Sequence, residues 1–527
     1  YKLLVLSSDK PEEQIQSDLN ELIANELVFK QRQVDTDAYI FKHALVRDAS
    51  YGSATQELIK RNHLNIAHAL EKHFVDYVNK NPFSLAEHFA KADNYNAAIK
   101  YAVEASNLAI SQSGEYYAAD YLERAMVWNK HIPNKEESMV NELAIYALKI
   151  PVLMVCEGYG AAELEPIAKR SKVILSYFNE HDIESHEQYL FKLLWGIFLL
   201  NNNRFSRKEA MQASLAMVNM AKKNADDVQA IFSNVILGYC HMEDGENNKA
   251  QELLSQSIED YERKGFSGAE FVEQFGLDAK SFALTILSKT YFTLGYSQES
   301  QEAIKESVEW ASQINHAGNL SYSYACLATL LFHKGDKEGV IAVEEKQNEL
   351  EKKYGQQFMG SFVHVYGEWA NNKCDESILY LEQYWLKGAK VWSLRIEAAI
   401  STCLLSQRKD TIGLERVNKM ILWAEEFGER YCLAKMYLLK AIFTIRIESK
   451  ITDKAESAFL SAIDIAKKQG ELYSLLDAFL LFYKEIVRLP PHYLTQHILR
   501  ELEQLLAALP VEHESDLLNE AKILLNQ

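Results

Sequence analysis

The chain contains no proline between Pro166 and Pro490, a stretch that makes up more than half of its 527 residues. Proline inside a helix removes a backbone hydrogen bond and costs about 3 kcal/mol or more. Its absence over so long a stretch predicts almost continuous helix joined by short turns. Because 527 residues exceed the usual size of one compact domain, the chain must form several domains or an array that grows by repetition.

Small and aromatic residues recur in similar blocks along this stretch. In the clearest block, residues 234–258, Gly238, Gly245 and Ala250 occupy the spacing of the tetratricopeptide consensus. Small residues are needed there because two helices cross closely, with a large residue filling the gap beside them. Equivalent positions in later blocks are Gly295, Gly335, Ala455, Phe459 and Ala462. We therefore predict an all-α, tetratricopeptide-like superhelix of helical hairpins, a solenoid with longer and less regular repeats than the standard 34 residues.

The first 50 residues have a different pattern. A helix opens at Pro11 with Ile15 and Leu19 at helical spacing, and residues 27–29 and 39–41 have the pattern of two short strands. Helix followed by hairpin is typical of a winged helix, so we predict a small N-terminal remnant of one. The predicted organisation is a partial winged-helix domain at 1–50, a connecting helix at 51–84, the repeat array at 85–489 and capping helices at 490–527.

The charge balance argues against a nucleic-acid partner. Lys and Arg total 56 against 74 Asp and Glu, a formal net charge of −18, and such a surface repels a phosphate backbone. The longest apolar runs, such as 189–200, are shorter than the ~20 residues that a membrane span needs. The six cysteines lie far apart with no C-x-x-C pair, which fits a reducing compartment. We expect a cytoplasmic protein that binds neither nucleic acid nor membrane.

Motifs that carry catalysis are missing from the sequence. None of the 21 glycines starts the phosphate-binding motif G-x-x-x-x-G-K-[ST], and no H-E-x-x-H or G-x-S-x-G occurs. The segment 158–160 is interpreted as an interhelical turn and not as a dinucleotide-binding loop. His181 and His186 are spaced badly for a shared helical face, so a solvated loop is favoured over a metal site. We expect no catalytic, cofactor-binding or metal-binding residue in this chain.

Three further groups of residues have a structural and a functional interpretation. Cys374 lies in a polar stretch and is expected to be exposed, whereas the other five cysteines fit inert core thiols. The mixed charges of 344–353 predict a water-facing helix side. Five tryptophans either line a ligand groove or wedge adjacent helices, and we favour packing: Trp310, Trp369, Trp385, Trp392 and Trp423.

Residues 39–51 read YIFKHALVRDASY, and this segment resembles a motif of the signal-transduction ATPases with numerous domains, the STAND class. In that class the motif follows the winged helix after the ATPase module and opens the repeat region. Phe41, Leu45 and Val46 are expected to form the buried side where hairpin meets helix. The polar groups either form an interdomain hydrogen-bond cluster or merely cap and solvate the helix. The proposed interdomain motif comprises Phe41, His43, Arg47, Asp48 and Tyr51.

The resemblance continues through 85–89 and 98–101 and reappears at 428–431 and 455–470. These late segments are similar to the final repeats of bacterial proteins that join a class III adenylate or guanylate cyclase domain to such an ATPase. The resemblance implies a non-catalytic regulatory scaffold. A protein partner or small effector on the superhelix would control upstream ATPase and cyclase modules of the same polypeptide, and ATP and Mg²⁺ would bind only in that upstream part.

Two alternatives remain open. Large LuxR-type activators share the ATPase and repeat layout, and such a protein would carry a DNA-reading helix-turn-helix elsewhere. A free-standing tetratricopeptide adaptor would have no upstream phosphate-binding loop at all. The sequence upstream of Tyr1 separates the three possibilities.

Overall fold

The computed structural model describes residues 1–32, 37–112, 114–157, 161–181, 187–354, 358–508 and 516–526. These residues form α-helices and one two-stranded antiparallel sheet. The prediction of an all-α, tetratricopeptide-like superhelix is confirmed. The chain divides into two compact units: unit 1 is Tyr1–Glu157 with Ala162–Leu193, and unit 2 is Gly158–Ala161 with Leu194–Gln527.

Unit 1 begins with short helices and a hairpin and continues as antiparallel helical pairs. Its elements are α1 (Lys2–Ser7), α2 (Glu12–Ala24), β1 (Val28–Arg32), β2 (Asp37–Phe41), α3 (Ala44–Ser53), α4 (Gln56–His73), α5 (Val75–Lys80), α6 (Pro82–Lys91), α7 (Tyr95–Ser111), α8 (Glu115–Asn129), α9 (Lys135–Cys156) and α10 (Leu164–His181). The following helix, α11 (Glu187–Asn203), carries the chain from unit 1 into unit 2.

The helix and hairpin predicted near the N-terminus are present. Ile15 and Leu19 of α2 are buried, as their spacing predicts. The strands β1 and β2 pair from Val28 opposite Phe41 to Arg32 opposite Asp37, so they extend further into the predicted polar turn than expected. This element order agrees with a partial winged helix, whose identity stays a prediction, as do the four domain boundaries.

The predicted single connecting helix is divided. Within its range α3 ends, α4 and α5 follow, and α6 begins. Thr55 starts α4 by accepting a hydrogen bond from the Leu58 backbone N–H at 3.3 Å, a typical N-cap contact. Pro82 occupies the first turn of α6, where its missing N–H costs nothing. Thr55 and Pro82 therefore begin new helices inside the predicted connecting helix. The hydrophobic periodicity alone does not reveal these starting points.

Helix α9 is longer and more apolar than the sequence pattern indicated. It continues through Pro151 to Cys156. By length and composition α9 is the one helix in the described residues that is apolar enough to cross a membrane, and 61% of its most apolar window is buried inside the protein. Burial of this kind is typical of the core helix of a folded domain, and α9 packs against α7, α8 and α10.

Unit 2 consists of further helices, most of which pack on a neighbour in the chain. Its elements after α11 are α12 (Arg207–Asn224), α13 (Asp227–Glu243), α14 (Asn247–Lys264), α15 (Ala269–Phe275), α16 (Ala279–Leu294), α17 (Ser297–Gln313), α18 (Ala317–Lys334), α19 (Lys337–Tyr354), α20 (Phe358–Ala370), α21 (Asp375–Leu386), α22 (Ser393–Ser406), α23 (Asp410–Phe427), α24 (Leu433–Glu448), α25 (Asp453–Gln469), α26 (Leu472–Ile486), α27 (Tyr493–Ala508) and α28 (Asp516–Leu525).

The first helices of several pairs are buried on nearly every face. In α16, α22 and α24 small and apolar residues surround the helix, with no solvent-facing polar side. A helix that is apolar all round must be enclosed by protein. The second helices, such as α14 and α17, instead bury one stripe and expose a charged face. The unit therefore has an inner layer of enclosed helices and an outer layer that faces water.

The inner layer closes on itself. Helix α16 contacts α26, and the Phe292 and Tyr473 ring centroids lie 4.3 Å apart. The Asn247 side chain donates to the Gln469 carbonyl at 3.3 Å across 222 positions of sequence. The backbone N–H of Lys390 donates to the carbonyl of Asn203 at 2.7 Å. These contacts join helices that are about ten places apart in the order of unit 2, so distant parts of its superhelix pack directly on one another.

Replacing Gly238 by leucine tests the close crossing of α13 and α14. A Cβ atom at Gly238 would lie 2.9 Å from Cγ of Leu254, so we expect a loss of about 1–3 kcal/mol in the free energy of unfolding, as overpacked cores show. Urea denaturation measures it. The matched control is Gly52→Leu, because nothing lies within 4 Å of a Cβ at that position. Equal stability of the two variants would contradict the crossing.

Candidate functional site

The proposed interdomain motif lies mainly on the surface of unit 1. Helix α3 has no buried residue. The expectation that Leu45 is buried is wrong, because its side chain is 82% exposed, and Phe41 is also exposed. Arg47 and Asp48 form an exposed ion pair with each other at 2.8 Å. His43 occupies the N-cap position of α3 without a side-chain capping bond.

Tyr51 is the member of the motif that reaches the helical pairs. Its hydroxyl lies 2.9 Å from Nε2 of His63 on α4, and Nδ1 of His63 lies 2.8 Å from Nδ1 of His88 on α6. Burial, and then the neighbouring His88, lower the pKa of His63 to about 4. Burial also lowers the pKa of His88. The lowered pKa values favour the neutral form of both rings, and the hydrogen bond needs one of the two Nδ1 atoms as its unprotonated acceptor. This chain of contacts ties α3 to α4 and α6.

The predicted repeat-packing residues divide into two kinds. Gly238, Ala250, Ala455, Phe459 and Ala462 lie at helix contacts, and the four with side chains are almost completely buried. Gly295 and Gly335 instead end α16 and α18 with φ of 91° and 76°. Gly245 likewise has positive φ in the turn before α14. Glycine adopts this left-handed conformation without strain, so these three are needed for chain reversal.

A charged cluster lies at the centre of unit 2. Arg395 of α22 forms an ion pair with Glu243 of α13, and the two side chains are 3% and 1% exposed. Arg207 approaches the other oxygen of Glu243 at 3.7 Å and Asp244 at 3.4 Å. Burial acts to raise the pKa of Glu243, but Arg395 and Arg207 outweigh it and lower that pKa. Glu243 is therefore ionised and holds two guanidinium groups.

The cluster contains a further cation and a further carboxyl group. Lys289 of α16 is buried, and its ammonium lies 4.6 Å from the centroid of the Trp392 ring and 5.9 Å from that of Tyr322. Burial lowers the pKa of Lys289. The Cys326 side chain lies next to Lys289 and acts against this lowering of its pKa. Burial, and then the neighbouring Glu243, raise the pKa of Glu429 to about 7. Among the described residues, Arg395 Nε and Nη1 have no hydrogen-bonding partner.

An aromatic cleft opens beside this cluster. It encloses about 870 Å³ of empty space, part of it open to solvent, which is a size typical of small-molecule sites. Trp195 of α11 is held in its wall by a hydrogen bond from Nε1 to the Phe275 carbonyl at 3.2 Å. Asn202 and Asn203 supply the polar groups. We call this the aromatic cleft, and its ring-bearing walls include Trp195, Phe198, Phe282, Tyr322, Phe362 and Trp392.

A second, narrower cleft lies on the α24 and α26 side of the cluster. It encloses about 570 Å³ and is lined by His333, Tyr431, Glu471 and Tyr473, among others. Burial lowers the pKa of His333 to about 4 and raises that of Glu471 to about 7. The Arg395 guanidinium lies 4.2 Å from the Tyr431 ring centroid and 5.0 Å from that of Trp392. Arg395 thus contacts a wall of each cleft.

The five tryptophans are mainly packing residues, and one of them also lines a cleft. Trp369 and Trp423 pack in the core, Trp310 donates to Asp278 at 3.1 Å, and Trp385 donates to Ser393 at 2.7 Å. Trp392 lines the aromatic cleft. The packing interpretation therefore describes four of the five tryptophans. It is incomplete for Trp392, which is buried and also lines the aromatic cleft.

The expectation that Cys374 is exposed is wrong. The residue is 1% exposed and belongs to the main core of unit 2. It precedes α21, where the neighbouring Lys373 carbonyl accepts a hydrogen bond from the Cys403 thiol at 3.1 Å. Polar neighbours in the sequence face solvent while the thiol turns inward, so local composition misled the prediction.

Other predicted features lie partly outside the described residues. The glycine turn 158–160 and His186 belong to that group. In the described part of the chain no group of three or more His, Cys, Asp or Glu side chains is placed to hold a metal ion.

The charged face of α19 is less uniformly exposed than expected. His364 of α20 lies between two of its carboxylates, with Nδ1 3.0 Å from Glu344 and Nε2 3.4 Å from Glu351. These carboxylates lie over Gly360 and Gly367, where a side chain would collide with them. The hydrogen bond to Glu344 raises the pKa of His364 against the effect of burial.

The central cluster was not found from the sequence. Lys289 and Arg395 each interrupt an otherwise apolar or small-residue helical stretch, and Glu243 follows one. A single charge in such a stretch marks a buried ionic group, and this signal was available. The sequence does not show which of these charged residues contact one another, because Glu243 and Arg395 are 152 positions apart.

No protein-family model and no curated protein matches the chain. Among solved structures, it is similar to a Rap protein complexed with competence and sporulation factor, at 10% identity and a TM-score of 0.44, covering 79% of this chain and 99% of that one. It is also similar to a STAND protein with a tetratricopeptide repeat sensor from Pyrococcus horikoshii, at 14% identity and a TM-score of 0.36, covering 79% and 64%. Yeast Tom70 matches at 13% identity and a TM-score of 0.30, covering 86% and 95%. Such values do not determine what this chain binds.

Breaking the ion pair between Glu243 and Arg395 tests whether the folded state depends on it. Glu243→Gln leaves buried guanidinium groups without a counter-charge, so we expect a loss of about 3–5 kcal/mol in the free energy of unfolding. The double replacement of Glu243 and Arg395 by methionine is expected to cost less than Glu243→Gln. Urea denaturation measures the free energy of unfolding of both variants. The control is Asp464→Asn, whose exposed pair with Lys468 is worth about 0–1 kcal/mol. A similar cost for Glu243→Gln and the control would contradict a buried pair.

The raised pKa of His364 predicts a pH-dependent contribution to stability. The contribution is fully present below the unfolded pKa of about 6.5 and is lost as pH rises through the higher folded pKa. We therefore expect His364→Gln to lower the urea midpoint relative to the wild type at pH 5.5, with a smaller difference at pH 9. Replacing both Glu344 and Glu351 by glutamine should remove the pH dependence of that difference. An equal difference at both pH values would contradict the assignment.

Proposed function

We propose that unit 2 is a non-catalytic sensor that binds an effector in the aromatic cleft. The observation that carries this proposal is the combination of a ring-lined cleft with a buried charged cluster at its wall. Small-molecule sites are concave and mainly apolar, with a few polar groups that fix the orientation of the ligand. The cleft has this composition, with Asn202, Asn203 and Tyr239 as polar groups.

The closed interior favours a small effector over an extended peptide at this site. Contacts such as Phe292 with Tyr473 fill the inner face that an open array would offer to a peptide. A protein partner of the array would bind instead on the outer helices, whose charged faces are exposed. The two kinds of partner therefore belong to different surfaces.

The sensor is proposed to act on an upstream module of the same polypeptide. The resemblance of 39–51 to the STAND motif supports an ATPase, and the late repeats support a nucleotide cyclase joined to it. The exposed apolar side chains of Phe41, Leu45 and Tyr51 offer a contact surface for such a module. An effector controls the upstream module by binding one state of the array more tightly than another, since only differential affinity shifts a conformational equilibrium. ATP and Mg²⁺ then belong to the upstream part, in the cytoplasm, and the acidic surface disfavours nucleic acid.

Filling the aromatic cleft tests whether it is the effector site. Leu199→Trp places a larger side chain in the cleft wall, and Leu422→Trp is the matched control because Leu422 is 68% exposed. Thermal unfolding is measured with a library of flat aromatic compounds. A ligand at 100 times its dissociation constant stabilises by about 2.7 kcal/mol. We expect such compounds to raise the midpoint of the wild type and Leu422→Trp but not of Leu199→Trp.

Two outcomes would overturn the proposal. In the first, no compound stabilises the wild-type chain. In the second, every stabilising compound stabilises Leu199→Trp by the same amount, which would place the binding elsewhere.

A further inference from the structure

No charged side chain of the described residues lines the aromatic cleft. Arg395 and Lys289 lie close to the Trp392 ring, but they are not among the lining residues. An ion that entered the cleft would lose its hydration without meeting a counter-charge, and such a transfer is strongly unfavourable. The lining therefore selects an uncharged ligand.

One face of α11 supplies a large part of the cleft wall. The contributing residues recur at helical spacing, which places them on the same side of the helix. They are Trp195, Phe198, Leu199, Asn202 and Asn203. The first three are aromatic or apolar, and the last two are amides in the final turn of the helix. The wall therefore changes along α11 from rings to hydrogen-bonding groups.

Asn202 has a hydrogen-bonding atom without a partner. The residue is 8% exposed, and Oδ1 of its side chain has no hydrogen-bond partner among the described residues. Burial raises the pKa of Tyr239, and a hydrogen bond from Asn202 acts in the opposite direction, as a bond donated to a phenolate oxygen does. The amide N–H of Asn202 therefore faces Tyr239, and Oδ1 is left as the unused acceptor of this wall residue.

Two other polar groups of the wall are already committed to the backbone. Nδ2 of Asn203 donates to the Leu199 carbonyl at 2.8 Å, and the Tyr384 hydroxyl donates to the Val391 carbonyl at 3.0 Å. Asn202 lies in the last turn of α11, where the negative end of the helix dipole favours the positive end of a donor group. A buried acceptor in this position calls for an N–H or O–H group.

We infer that the effector is an uncharged, flat ring compound with an N–H or O–H group, and that Asn202 accepts a hydrogen bond from that group. This inference rests on the proposed function, because it names the class of ligand for the aromatic cleft. The rings of the wall bind the flat body by offset-stacked or edge-on contact. Asn202 is the specificity-determining residue, since a ligand without a donor would leave its Oδ1 unsatisfied in the complex.

Three probes with the same ring body test the inference. 2-Naphthol carries an O–H donor, 2-methoxynaphthalene has a methyl group in place of that proton, and 2-naphthoate is an anion. Isothermal titration calorimetry at pH 7 is expected to show that 2-naphthol binds the wild type about tenfold more tightly than either of the other two. A preference for 2-naphthol of less than about threefold over either probe would overturn the inference.

Asn202→Leu removes the acceptor and keeps the size of the side chain nearly constant. We expect the affinity for 2-naphthol to fall to within about threefold of that for 2-methoxynaphthalene, whose own affinity stays within about twofold of its wild-type value. Asn201→Leu is the matched control, because Asn201 is the preceding residue of α11, is not among the lining residues and bonds the Ile197 carbonyl.

Two results with these variants would contradict the role of Asn202. A purely structural role would weaken the binding of 2-naphthol and 2-methoxynaphthalene equally in Asn202→Leu. An undiminished preference for 2-naphthol in that variant would assign the acceptor to another group. The comparison of probes on the wild type needs no variant, so it tests the ligand class independently of how Asn202→Leu folds.

The titrations separate failure of this inference from failure of the proposed function. If 2-naphthol and 2-methoxynaphthalene bind the wild type equally and Leu199→Trp blocks both, the aromatic cleft remains the effector site and only the assignment of its ligand class fails. If no probe binds the wild type, or if Leu199→Trp binds the probes as the wild type does, both proposals fail.

Discussion

The buried ion pair between Arg395 and Glu243 is the interaction on which the closed form of unit 2 depends. It joins α22 to the end of α13, two helices that no local repeat contact brings together. Because both groups are removed from water, an open arrangement would have to hydrate them or leave them unpaired. Buried pairs add little net stability compared with apolar packing, but breaking one costs about 3–5 kcal/mol. The pair therefore selects one closed arrangement of the superhelix.

Closure determines where a ligand can bind. An open array of helical hairpins offers a long groove, whereas here α16 meets α26 and the inner helices are enclosed. Arg395 contacts an aromatic wall of both clefts described above, through Trp392 and Tyr431. A ligand that moves Trp392 therefore acts directly on the group that holds the superhelix closed. This connection gives ligand binding a physical route to the conformation of the array.

The sequence predicts the local structure of this chain better than its closure. Gly238 and Ala250 indicate the helical pair, and the capping glycines indicate its turn, because these constraints act between neighbours. Closure depends instead on the summed rotation of irregular repeats, which no single position records. The same limit explains why the predicted burial of Leu45 and the predicted exposure of Cys374 are wrong. Their neighbours in sequence indicated burial of Leu45 and exposure of Cys374, but the packing of the folded chain leaves Leu45 exposed and encloses Cys374.

The buried amine of Lys289 shows how unit 2 accommodates a titratable group inside its apolar layer. Burial lowers the pKa of Lys289 and so disfavours the ammonium form. Its Nζ atom lies 4.6 Å from the centroid of the Trp392 ring and 5.9 Å from that of Tyr322, and ring faces attract a cation. Glu243 also favours the charged form of Lys289, so the amine extends the charged cluster of Arg395 and Glu243 into α16.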